Sequence, residues 1–195
     1  MTTLTATLTR DRRLAIVGVV GFVLALAAAS QIAIPIPGTP VPITLQPMIV
    51  VLAGMMLGPQ LGAATMLAYL AIGAAGLPVF APVGLPGIAR FVGPTGGYLI
   101  AYPVAAAVAG VLAQRFPSLL GRWMAALFGI ATLFVGGLSW LAILSGSVSR
   151  AVVLGLTPFA LLDVVKALIA ATIAGARGAR GARGTPERQV RSTRD

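Results

Sequence analysis

The sequence contains one long stretch without charge: none of the 76 residues between Arg13 and Arg90 is Asp, Glu, Lys or Arg. A soluble domain carries about 25% charged residues, whereas this chain of 195 residues is 9% charged and 58% hydrophobic. A helix needs about 20 mostly apolar residues to cross the hydrocarbon core of a bilayer. The uncharged stretch can hold three such helices with their connections. The sequence therefore predicts an all-α protein embedded in the lipid bilayer.

Proline and glycine divide the apolar sequence into segments, because they interrupt or end helices. The division predicts six membrane-spanning helices over residues 14–34, 44–57, 61–75, 95–113, 123–144 and 151–174. The second and third segments are short, which indicates tilt or extension into the flanking loops. Residues 1–13 are predicted as a basic N-terminal segment and residues 14–175 as the six-helix domain. Residues 176–195 are predicted as a disordered basic tail, because an Arg/Gly sequence has no apolar face to bury.

The distribution of Lys and Arg predicts the orientation, because these residues are enriched in cytoplasmic loops. Six spans put both termini on one side, which then carries 11 arginines, against two (Arg90 and Arg150) on the other side. Both termini are therefore predicted to be cytoplasmic, in a multi-pass protein of the cytoplasmic membrane. The first apolar segment also has features of a cleaved signal peptide, but cleavage would leave five spans. In this topology the Pro/Gly-rich loops at 34–42 and 76–94 face outward, like a lid over a cavity.

The composition excludes most catalytic chemistry. The chain has no Cys and no His, so thiol nucleophiles, His-based acid–base catalysis and Cys/His metal sites are excluded. Of its four acidic residues only Asp163 lies within the apolar body, so neither a carboxylate pair nor a carboxylate metal cage is available. The net charge of +10 comes from arginines that flank apolar segments rather than from a basic face with aromatic residues. We therefore expect no enzyme activity, no metal, no cofactor and no nucleic-acid partner.

Asp163 and Lys166 are the most informative residues of the apolar body. They lie three residues apart near the middle of the sixth predicted span, and hence on one helical face. Each costs about 2.5–3.5 kcal/mol at the centre of a spanning helix. They form either a mutually neutralising packing pair or a polar ligand site, and we favour the ligand site because ionisable residues within membranes usually mark one. A proton relay is disfavoured, because Asp163 has no second titratable group to receive the proton.

Polar and small residues near the outer loops are further candidates. The motif Gly93-Pro94-Thr95-Gly96-Gly97-Tyr98-Leu99 opens the fourth span. Thr95 is a predicted helix cap, and Gly96 and Gly97 allow either a ligand or a neighbouring helix to approach the backbone. Other candidates have two readings each: Arg90 as a partner of a substrate carboxylate or as a solvated loop residue, and Thr44 and Gln46 as ligand contacts or helix-interface hydrogen bonds. Aromatic residues that can line an apolar pocket are Tyr69, Phe80, Tyr98 and Tyr102.

With these motifs in view, the chain resembles the BioY family, the biotin-binding S components of energy-coupling factor (ECF) vitamin transporters. The resemblance covers residues 14–175 and is carried by four segments in the same order. They are Pro42-Ile43-Thr44-Leu45-Gln46, Gly76-Leu77-Pro78-Val79-Phe80, the glycine motif from Gly93 to Leu99, and Asp163-Val164-Val165-Lys166. It implies a six-helix protein that captures biotin from outside. It also implies a substrate site that includes Asp163, Lys166, Arg90, Thr95, Gly96, Gly97, Tyr98, Thr44, Gln46 and Phe80.

The resemblance also implies partners. S components contact a membrane coupling subunit (the T component) through an Ala-x-x-x-Ala stripe in the first helix, which corresponds here to Ala25 and Ala29. Paired ATPase subunits would supply the energy, since the phosphate-binding pattern G-x-x-x-x-G-K-[ST] is absent from this sequence. A stand-alone transporter stays open, as does a transporter for another carboxylate-bearing vitamin. An integral membrane enzyme or a small-cation channel that uses Asp163 is disfavoured.

Overall fold

The structure is a computed structural model that describes the backbone of residues 2–183 and the side chains of residues 12–176. Within these residues the chain forms seven α-helices and one short 3₁₀ helix, with no extended strand. The helices are α1 (Thr2–Gln31), α2 (Gln46–Leu57), α3 (Pro59–Ala74), the 3₁₀ helix (Gly87–Val92), α4 (Gly96–Arg115), α5 (Leu119–Ser145), α6 (Val148–Gly155) and α7 (Ala160–Arg183). The all-α prediction is therefore confirmed.

Three helices are long and apolar enough to cross a membrane, namely residues Arg12–Gln31 of α1, α4 and α5. A fourth span is possible if α6 and residues Ala160–Ala176 of α7, which are bent by 54°, are counted together. Helix α2 is apolar but has only 12 residues, and α3 has 16. At 1.5 Å per residue both are shorter than the roughly 30 Å hydrocarbon core. Each of the first five predicted spans nevertheless coincides with one helix.

The sixth predicted span is not one continuous helix, and this expectation was wrong. Helix α6 ends at Gly155 and α7 begins at Ala160. Pro158 lies between them, and proline has no backbone N–H to donate to the residue four positions earlier. Asp163 therefore lies in the first turn of α7, directly after this break, rather than inside a continuous helix.

Two connections between helices are shaped by glycine and by backbone hydrogen bonds. Gly58 links α2 directly to α3 with a φ of 84°, a value that residues other than glycine rarely adopt. The proline-rich α1–α2 loop closes on itself, because Ile34 and Ile43 exchange N–H to carbonyl bonds of 2.9 Å in an isolated antiparallel bridge. The connection at Gly58 is thus a tight turn, and the α1–α2 loop is a compact structure.

The core combines small residues, aliphatic side chains and aromatic rings from α1 to α5, and α7 adds Ala167 and Ala170. Gly54 lies so close to α4 that an added Cβ atom would be 1.9 Å from the carbonyl oxygen of Ala106. Conversely, large apolar side chains remain exposed on the outer faces of the helices, as expected where lipid replaces water. Examples are Leu14, Val17, Val104, Val135, Ile143 and Leu161.

The predicted boundaries at residues 13 and 175 do not coincide with helix ends. Helix α1 begins at Thr2 and α7 continues to Arg183. Residues 184–195, which make up most of the predicted tail, lie outside the described residues. The division of the chain into a basic segment, a domain and a tail stays a prediction.

Candidate functional site

A cavity lies beneath the α1–α2 loop, between the α3–α4 connection and helices α2, α4, α5, α6 and α7. The space between its walls, including the solvent-filled mouth, is about 740 Å³. Its walls are mainly apolar, with a few charged and polar groups. Eight predicted site residues line it: Thr44, Gln46, Phe80, Arg90, Thr95, Tyr98, Asp163 and Lys166.

Asp163 and Lys166 form a buried ion pair in the cavity wall. The Lys166 ammonium donates to Asp163 Oδ1 at 2.7 Å, and the side chains of Lys166 and Asp163 are only 9% and 7% exposed. The pair is stabilised further by its position, because a carboxylate in the first turn of a helix interacts favourably with the helix dipole. A lysine has three donors and a carboxylate two acceptor oxygens, so one mutual bond leaves capacity for a ligand. The pair is therefore both neutralised and available to the cavity.

Arg90 is buried, which excludes its interpretation as a solvated loop residue. Only 4% of it is exposed, and its guanidinium donates to the carbonyl oxygens of Ala81 and Val83. The guanidinium also lies 5.9 Å from the ring centroid of Phe80, in the range of a cation–π contact. Burial lowers the pKa of Arg90, although an arginine stays protonated in proteins. No carboxylate among the described side chains pairs with it.

Nε of Arg90 is a buried donor without a partner among the described residues. Since Arg90 lines the cavity, this cation is a ready partner for an anionic group of a ligand.

The glycine motif contributes to the cavity through two of its residues. Thr95 precedes α4, but its side chain makes no capping hydrogen bond, so the predicted cap is wrong and the residue lines the cavity instead. Tyr98 donates from its hydroxyl to the carbonyl oxygen of Gly155 at 2.8 Å. Gly96 and Gly97 do not line the cavity. An added Cβ at Gly96 would be 1.9 Å from the Phe91 oxygen, and at Gly97 it would be 2.3 Å from the Gly136 oxygen, so both are sites of close backbone packing.

Thr44, Gln46 and Phe80 complete the predicted set. The Thr44 hydroxyl donates to Oε1 of Gln46 at 3.3 Å, and Nε2 of Gln46 donates to the hydroxyl of Tyr69 at 3.0 Å. The ring of Phe80 fits against Gly73, where an added Cβ would be 2.2 Å from it. All three residues line the cavity, together with residues from α4 to α7.

The arrangement favours binding over catalysis. Within the described residues there is no group of three His, Cys, Asp or Glu that can hold a metal, and the acid–base pair has no nucleophile bonded to it. Instead, an apolar chamber carries an ion pair and a separate arginine. Such a chamber matches a small molecule that has an apolar part and polar groups at separate positions.

Comparisons with known proteins decide the family. The family model described as "BioY family" matches residues 1–182. The chain belongs to the BioY family. It is 42% identical over 153 residues, 78% of this chain and 89% of the relative, to the "Probable biotin transporter BioY" of Pyrococcus horikoshii. The "Biotin transporter BioY" of Thermotoga maritima is 36% identical and aligns with 72% of this chain and 83% of its own length.

A solved structure agrees with this membership. The chain superposes on the crystal structure of "the S-component for biotin from an ECF-type ABC transporter" with a TM-score of 0.81 and 27% sequence identity. The match covers 87% of this chain and 93% of that one. The relatives are named as transporters, which agrees with the prediction that this BioY-family chain is not an enzyme.

Much of the cavity wall was not predictable from the sequence. Phe159 is the last residue of the break between α6 and α7. Tyr102, named above only as a possible pocket aromatic, lies one turn after Tyr98 and lines the cavity. Tyr69, also predicted as a pocket aromatic, does not line the cavity. The other unanticipated lining residues are Val41, Pro42, Pro47, Ala81, Leu99, Ile130, Leu133, Phe134 and Gly155. Of these lining residues, only Phe159 had a signal in the sequence, because Pro158 indicates a helix break at residues 156–159.

The predicted docking stripe on α1 is only partly at the surface of this BioY-family chain. Ala29 is 7% exposed and Ala25 is half-buried. The contact of these residues with a coupling subunit stays a prediction.

Proposed function

We propose that this chain captures biotin and carries it across the cytoplasmic membrane. It does so as the substrate-binding subunit of an ECF-type transporter or as a stand-alone transporter. The observation that carries the proposal is the apolar cavity holding the buried Asp163–Lys166 pair and the buried Arg90. The named relatives, which are biotin transporters, support biotin as the substrate.

The chemistry of biotin suits this cavity. Its ureido ring needs an acceptor for two N–H groups and a donor for one carbonyl oxygen, and Asp163 and Lys166 supply both. Its carboxylate matches the Arg90 guanidinium, whose Nε has no partner among the described residues. Its thiophane ring and aliphatic chain match the aromatic wall of Phe80, Tyr98, Phe134 and Phe159. In this orientation the ureido ring lies at α7 and the carboxylate at the α3–α4 connection.

The membrane topology is part of the proposal. Six spans, with α6 and α7 together as the sixth, place both termini in the cytoplasm and the α1–α2 and α3–α4 loops outside. The asymmetry of 11 arginines against two supports this orientation. The mouth of the cavity, which these two loops border, then opens to the exterior.

The coupling partners are also proposed. A membrane T component would contact α1 near Ala25 and Ala29, and paired ATPase subunits would drive transport. The solved relative is named as a component of an ECF-type ABC transporter, which supports this assembly. A chain that transports biotin without these subunits would fit the same cavity.

The decisive experiment measures binding of radiolabelled biotin to the full-length protein purified in lipid nanodiscs. We expect saturable binding that unlabelled biotin displaces and that lipoate, another carboxylate-bearing cofactor, does not. Absence of binding would contradict the proposed substrate, and displacement by lipoate would favour a transporter for another carboxylate.

The orientation of biotin in the cavity is tested with biotin and its amide in Lys166→Ala protein. If Lys166 contacts the ureido ring, this variant still prefers biotin over the amide, whereas loss of that preference shows the opposite orientation.

A further inference from the structure

A chain of hydrogen bonds connects the cavity wall to the last turn of α1. Gln46, which lines the cavity, donates from Nε2 to the hydroxyl of Tyr69 at 3.0 Å. That hydroxyl donates to the carbonyl oxygen of Val79 at 2.8 Å. The same oxygen lies 2.7 Å from the hydroxyl of Ser30, at the end of α1. Tyr69 therefore stands at the centre of a polar chain that joins α1, α2, α3 and the α3–α4 connection.

Tyr69 does not line the cavity, yet it contacts residues that do. It is completely buried. Its ring meets Phe80 edge-on with centroids 5.5 Å apart, and it stacks on Tyr102 at 6.4 Å. The carbonyl group that it bonds directly precedes Phe80 and Ala81, two residues of the cavity wall. The Tyr69 hydroxyl thus fixes the wall on two sides, at Gln46 and at the backbone of Val79.

We propose that Tyr69 is a positioning residue whose hydroxyl holds the walls of the cavity in their binding arrangement and so slows the release of the ligand. The inference rests on the proposed function, in that the ligand is biotin. In Tyr69→Phe the ring and its packing remain, while the Gln46 amide and the Val79 carbonyl each lose a partner. A buried polar group left without a partner drives local rearrangement. Among the described residues, the Val79 oxygen then keeps only the Ser30 hydroxyl, whose single proton is shared with the Ala27 carbonyl oxygen at 2.6 Å. No atom that touches the ligand is removed.

The expected effect therefore falls on dissociation. The wall opens more often, so we expect biotin to dissociate about tenfold faster from Tyr69→Phe protein, the change that loss of one buried hydrogen bond typically produces. The association rate constant should change less than twofold, because differences between variants of one site are mostly in dissociation.

The test compares wild type, Tyr69→Phe and Thr65→Val, all full length in nanodiscs. Thr65 is a matched control, because it is also completely buried on α3, one turn earlier, and its hydroxyl bonds only locally, to the Leu61 carbonyl at 2.6 Å. Hydrogen exchange of residues 77–81 is measured without ligand, and biotin association and dissociation rates are measured by stopped flow. We expect faster exchange of this segment and faster dissociation in Tyr69→Phe alone.

Each outcome decides the proposal. Unchanged exchange in Tyr69→Phe, or an equal increase in Thr65→Val, overturns the positioning role. Faster exchange with unchanged dissociation overturns the effect on the ligand. If wild type does not bind biotin, the proposed function fails, while the exchange measurement still decides whether Tyr69 positions the wall.

Discussion

At the scale of single residues, the Asp163–Lys166 pair shows how a membrane protein keeps two charges away from water. Each charge would be costly alone, but the 2.7 Å bond neutralises both. Replacement of such a pair by apolar groups is often neutral or stabilising, so stability is a weak explanation for its presence. A ligand that uses the remaining donors and acceptor of the pair explains it better.

The pair gives a prediction that separates binding from stability. We expect Asp163→Asn to weaken biotin binding by about 10- to 100-fold, as when a hydrogen bond to a charged group is lost. It should also lower the midpoint of thermal unfolding, because breaking a buried pair costs up to about 3–5 kcal/mol. The double variant Asp163→Asn/Lys166→Met should recover much of the thermal stability but not the binding. Radiolabelled biotin binding and thermal unfolding measure the two effects. Wild-type affinity in the double variant would show that the pair serves only helix packing and does not bind the ligand.

Charged residues were also the part of the site that the sequence predicted best. Asp163 and Lys166 stand out because charge is rare in the apolar body, and both line the cavity. Arg90 was identified as a candidate, but not its burial, because a single arginine in a loop carries no signal of the carbonyl groups that surround it. Gly96 and Gly97 were identified as sites of close approach, but the sequence does not reveal that the approaching atoms belong to Phe91 and α5.

At the scale of elements, the break between α6 and α7 has a consequence for the cavity. Pro158 cannot donate to the carbonyl group of Leu154, and the N–H of Phe159 bonds to Leu156 instead of Gly155. The two carbonyl groups thus freed accept from other elements. Leu154 accepts from the Thr39 hydroxyl at 2.6 Å, and Gly155 accepts from Tyr98. The break therefore provides the anchor points that join the α1–α2 loop and α4 to the end of α6.

This anchoring predicts that Thr39 controls access to the cavity. In Thr39→Val the loop loses its bond to α6, and the Val41 N–H loses the Thr39 hydroxyl that accepts from it at 3.2 Å, while the bridge between Ile34 and Ile43 remains. Loss of the hydrogen bond to α6 should make the open state of the loop more accessible by about 1 kcal/mol. We therefore expect both association and dissociation of biotin to become about three- to tenfold faster. Stopped-flow binding to the protein in nanodiscs measures both rate constants.

A matched control for this prediction is Thr132→Val. Thr132 bonds only within α5, to the Phe128 carbonyl at 2.9 Å, and it does not line the cavity. Its rate constants should equal those of wild type. If Thr39→Val also leaves both rates unchanged, the loop does not gate the cavity.

At the scale of the whole molecule, lipid changes what a sequence can reveal. In water, apolar side chains indicate the interior, but in a bilayer they face both lipid and core. Ile130 is buried in the cavity wall, whereas Phe128, two residues earlier on α5, is 54% exposed. The helices could therefore be predicted from hydropathy, proline and glycine, while the choice of which face of α5 lines the cavity could not.

The proposed topology is tested most directly by chemical labelling, because the chain contains no cysteine and each introduced thiol is unique. Leu85 lies in the α3–α4 connection and is 49% exposed, and Gln60 is exposed at the α2–α3 turn. We expect a membrane-impermeant maleimide to label Leu85→Cys in intact cells. Gln60→Cys should be labelled only after permeabilisation, because the excess of arginines places this turn in the cytoplasm. The unmodified chain serves as the blank. The opposite labelling pattern would show that the protein has the inverted orientation in the membrane. The mouth of the cavity would then face the cytoplasm, where it cannot capture biotin from outside.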